Sequence, residues 1–183
     1  MKRLILKVLI AVILSVLLAP LLALAAYDVW MFQPQVPTMR RILADADAAE
    51  KSPPEALVRA LLASHRSNCA DARVLRDLFH PSSEHVSNTR LQFGDEARCL
   101  LMRLHFVEAD RLTLFLTLTP MGKGVSGFAQ ASSTWLNVPL GAVSLDQSAR
   151  LVTISKAPSA YLGNPERLAK SATALVERIR QTP

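Results

Sequence analysis

His65, Glu96 and Lys156, together with the glycines at 122, 124 and 127, are the residues of this chain whose types and spacing could do chemistry. An imidazole takes up a proton near neutrality, a capacity His65 shares with the other histidines. Glu96 lies on the polar side of an amphipathic pattern, where a solvated surface carboxylate is the ordinary reading. Gly122, Gly124 and Gly127 permit backbone conformations that a side chain forbids. No predicted strand precedes them, so the context of a dinucleotide-binding turn is missing. Lys156 could face an anionic ligand, although an exposed loop lysine needs no such role. Cys69 and Cys99 would pair in an oxidising compartment, closing about 30 residues for about 3 to 4 kcal/mol, or could remain two buried thiols. These cysteines and the histidines at 65, 80, 85 and 105 show no metal-ligand spacing, so neither a metal site nor a cofactor is expected.

The elements that must position these residues are predicted to be helices. Half of the 183 residues are hydrophobic, aromatics are few and glycine is scarce, a composition that suits one compact all-α domain. Ser52-Pro53-Pro54-Glu55 combines a cap, a proline and a following glutamate ahead of a helix over residues 56–64. Further helices are expected over residues 39–50, 70–79 and from Asn88 past Leu104, with a loop between 80 and 88. Residues 112–118 alternate in a way that fits strand and helix equally. Later helices are expected near residues 125–135, ending at Asn137, over 144–155 with a capping box from Ser144 and Gln147, and over 165–180 behind Asn164-Pro165.

Ahead of this domain, residues 8–26 carry no charge and are long enough, at about 1.5 Å per residue, to cross a hydrocarbon core of about 30 Å. Lys2, Arg3 and Lys7 stand before the run, which orients the N-terminus towards the cytoplasm and sends the rest across. Ala23-Leu24-Ala25 offers a cleavage pattern, so a removed signal peptide is the competing reading, but the run exceeds the usual apolar length of one. Tyr27, Trp30 and Phe32 are placed to sit at headgroup level, and Pro34 and Pro37 are expected to break the helix. The net charge of +6 falls to +3 beyond Lys7, with 18 basic against 15 acidic residues. That excess suits an anionic membrane surface better than nucleic acid, and a translocated domain does not meet the genome.

Three stretches in fixed order, GKGVSGFAQAS, WLNVPLGAVSLDQSARLVTIS and KAPSAYLGNPERL, resemble the closing half of the peptidoglycan glycosyltransferases of family 51, which polymerise lipid II. The resemblance implies a lysozyme-like helical domain over residues 53–183, truncated on its cleft side, after an anchor over 1–33 and a stalk helix over 34–52. It also assigns residues 112–118 to a helix. Ala60, Leu61, Ala63 and Ser64 match the family's A-L-x-A-[ST]-E-D signature, but His65 and Arg66 stand where the acidic pair is expected. Glu96 is the match for a second acidic residue. Leu114 and Leu118 replace the Glu and Asn of the I-L-E-x-Y-L-N helix, and Ala129 stands where another glutamate follows the glycine turn. The resemblance makes Gly122, Gly124, Gly127, Gln130 and Lys156 candidates for substrate contact. Members of the family can use a divalent metal, which these residues do not support.

The expected protein is therefore a single-pass inner-membrane protein with a periplasmic, lysozyme-like domain that has lost its proton-handling carboxylates. It would bind a lipid-linked cell-wall precursor or another envelope protein. An active glycosyltransferase with rearranged groups and a structural subunit of an envelope complex are the alternatives.

Overall fold

The computed structural model describes residues 2–64 and 88–181. Its compact units are residues 1–40 and 41–183.

In the first unit, helix α1 (Lys2–Tyr27) carries the uncharged run and contains Pro20. It belongs to the one helical stretch among the described residues that is long and apolar enough to cross a membrane. Pro34 and Pro37 do not break the chain's helical course. The backbone changes its bonding pattern instead: Gln33 N–H reaches Asp28 O in a wide turn over Asp28–Phe32. Val36 N–H then reaches Gln33 O in a tight turn over Gln33–Gln35. These shifts place each proline where its missing donor costs little, Pro34 opening the tight turn and Pro37 in the first turn of α2 (Val36–Asp45). Trp30 is 80% exposed and Tyr27 half-buried, whereas the Phe32 ring is fully buried within the protein.

The helix expected over 39–50 is two helices. Asp47 breaks it, since its carboxylate accepts the Ala49 N–H at 2.7 Å and caps α3 (Ala48–Lys51). Lys51 Nζ turns back to donate to Ala44 O near the end of α2. Residues 41–52, expected to be stalk, lie within the second compact unit. Ser52 closes α3 rather than capping the next helix. The first turn of α4 (Glu55–Ser64) closes on Pro54 O, which accepts the N–H groups of Leu57 and Val58.

The core forms where α4, α8 (Leu145–Lys156) and α10 (Pro165–Gln181) pack together. Leu57 and Ala60 of α4 meet Leu151, Val152 and Ile154 of α8 and Leu175, Val176 and Ile179 of α10 in one buried cluster. The start of α8 is fixed by a complete capping box: Ser144 Oγ accepts Gln147 N–H, and Gln147 Oε1 accepts Ser144 N–H. Asn164 Oδ1 likewise accepts Arg167 N–H in the first turn of α10.

On one side of this core lie α5 (Asn88–His105) and α6 (Glu108–Leu118). Four consecutive residues of α6, Thr113 to Leu116, are buried, so the helix is enclosed on more than one side. That enclosure explains why its sequence mimicked a strand. Cys99 in α5 is disulfide-bonded, and no described cysteine is free; Cys69, its expected partner, lies outside the described residues. The helix expected over 70–79 also lies outside them.

Residues 125–135 depart from expectation. A small antiparallel hairpin joins β1 (Pro120–Gly122) to β2 (Val125–Ser126) before α7 (Phe128–Ala131) and a wide helical turn over Ser132–Leu136. Lys123 and Gly124 both have positive φ at the hairpin tip, the two-residue turn that matches strand twist. Asn137 adopts the left-handed conformation at the end of the wide turn, as its residue type suggested. The last short helix, α9 (Pro158–Leu162), packs on β1 and bridges α8 to α10.

Candidate functional site

Among the described residues two arrangements could do chemistry: a buried carboxylate that ties three elements together, and a cation-lined groove at the end of α8.

The buried carboxylate is Glu50, in α3, 3% exposed. Its Oε2 accepts the Thr117 hydroxyl of α6 at 2.8 Å. Its Oε1 accepts the backbone N–H of Ala129, in the first turn of α7, at 3.0 Å. A carboxylate at a helix N-terminus satisfies a donor that has no intrahelical acceptor and faces the positive end of the helix dipole. Gly127 fits beside it for a steric reason. A Cβ there would lie 2.9 Å from Thr117 O and 3.0 Å from Glu50 Oε1, and the residue has φ +83. The glycine is thus required for α6, α3 and the hairpin exit to close on one another.

The other two glycines of the turn have separate duties. A Cβ on Gly122 would stand 2.8 Å from Pro158 Cβ, so this glycine lets β1 touch α9. Gly124 has open space around it and serves the turn through its φ of +79. Gln130 Oε1 accepts Ser126 N–H at 3.3 Å, which braces the hairpin from α7. Lys123, at the hairpin tip, lies 5.7 Å from the Trp135 ring centroid, a cation over an aromatic face.

The acidic positions of the family pattern are filled otherwise. Leu114, at the glutamate position of α6, is 1% exposed, and Leu118 is half-buried against the core. Ala129 has no acidic side chain, and its backbone is engaged by Glu50. His65 and the Glu96 side chain lie outside the described residues, although the α5 backbone runs through position 96.

Lys156 ends α8 and helps line a cavity of about 240 Å³ with Thr153, Tyr161, Ser171, Leu175 and Arg178. Arg178 Nη1 donates to Ala63 O near the end of α4 at 3.3 Å, which holds its guanidinium at this end of the bundle. The Lys156 pKa is lowered from its ordinary 10.5, first because the cavity wall removes water from the ammonium and then because Arg178 is near. Arg167 lies 5.5 Å from the Tyr161 ring centroid. Lys156 was legible in the sequence as a candidate; Arg178, 22 positions further on, was not. Among the described residues no cluster of His, Cys, Asp or Glu could hold a metal ion.

The family described as Transglycosylase has a model that matches residues 87–180, just over half of the chain. No curated protein matches it.

Proposed function

The chain belongs to the transglycosylase family, whose domain is helical and lysozyme-like, and on that premise we propose that it is a membrane-anchored, non-catalytic member that binds a lipid-linked cell-wall precursor or an envelope protein. The observation that carries this reading is Leu114. The resemblance puts the general base for the attacking hydroxyl at the position of His65, which lies outside the described residues; the glutamate of the α6 pattern is a further polar anchor. At the α6 position where the family pattern puts a glutamate, a leucine packs 1% exposed. The carboxylate buried nearby, Glu50, already accepts two hydrogen bonds that hold the fold together. Losing several positioned groups leaves little rate above background, since each general base contributes about 10² to 10⁴.

The anchor is α1, and the basic residues Lys2, Arg3 and Lys7 before it favour a cytoplasmic N-terminus and a domain on the far, periplasmic face of the inner membrane. Full-length protein in detergent, incubated with lipid II, is expected to bind it or to crosslink to an envelope protein without forming glycan strands. Strand synthesis by the purified protein would overturn the reading in favour of an active enzyme.

A further inference from the structure

We draw no further inference here: the strongest candidate, the exposed apolar row of Leu100 and Leu104 on α5 with Val107 just beyond its end, carries nothing because nothing in the structure shows what covers it.

Discussion

Glu50 Oε1 and the backbone N–H of Ala129 meet at 3.0 Å across 79 residues of chain, and the second oxygen of the same carboxylate holds Thr117. A single buried side chain therefore joins the entrance of the domain to α6 and to the exit of the hairpin.

Replacing Glu50 by alanine leaves two part-buried donors without this acceptor, so Glu50→Ala is expected to lose about 1 to 3 kcal/mol of stability. Glu50→Gln should lose less, because its amide oxygen can still accept from one donor. Urea denaturation of the detergent-solubilised protein measures both. Wild-type stability in Glu50→Ala would show that the carboxylate does not hold these elements.

The glycine turn gives an internal comparison. Gly124→Ala meets only the strain of a positive φ, about 1 to 2 kcal/mol. Gly127→Ala carries similar strain and also drives a methyl group to 2.9 Å from Thr117 O and onto Glu50. Gly127→Ala should therefore be the more damaging of the two by melting temperature, and the reverse order would contradict the packing described.

Ser144→Ala removes one half of the capping box at the start of α8 and should cost about 1 kcal/mol, read as a lower denaturation midpoint. Ser144→Asp, which restores an acceptor at the cap, should recover most of the loss.

Lys156 predicts a pH dependence of definite sign. Its folded pKa lies below the ordinary 10.5, so in the interval just under that value the unfolded chain binds more protons than the folded one. Stability contributed by this group therefore rises as pH increases through that interval, and the penalty is fully present at lower pH, where both states are protonated. Denaturation midpoints of wild type and Lys156→Gln should draw apart in favour of wild type as pH rises towards 10.5. Parallel profiles would contradict the assigned shift.

The sequence was most legible where structure is decided by neighbours in the chain. Ser144 with Gln147, Asn164 before Pro165, and Asn137 each act within a few residues, and each adopts the geometry its type favours. The helix over 112–118 could not be separated from a strand by pattern, because burial of Thr113 to Leu116 on successive positions erases the polar face that marks a helix. Pro34 and Pro37 misled for a related reason, since the backbone absorbed them by changing its hydrogen-bond register rather than by stopping.

Glu50 was not legible at all. In AAEKSPP it is an acidic residue in a polar stretch, and its partners are 67 and 79 positions away. The same holds for Arg178, whose contact with Ala63 spans 115 positions and which meets Lys156 only through the packing of α8 on α10. Residue types proposed Lys156, but tertiary structure supplied the second cation that makes a cavity of it.

Anyone trimming this protein to a water-soluble fragment would be tempted to begin at Pro53, where likeness to the family starts. Such a cut discards Glu50 and strands the amides and hydroxyl it serves, so the fragment would be crippled by its own boundary. Fragments that begin at Arg41 keep α3 and its cap at Asp47 and should express better than those that begin at Pro53.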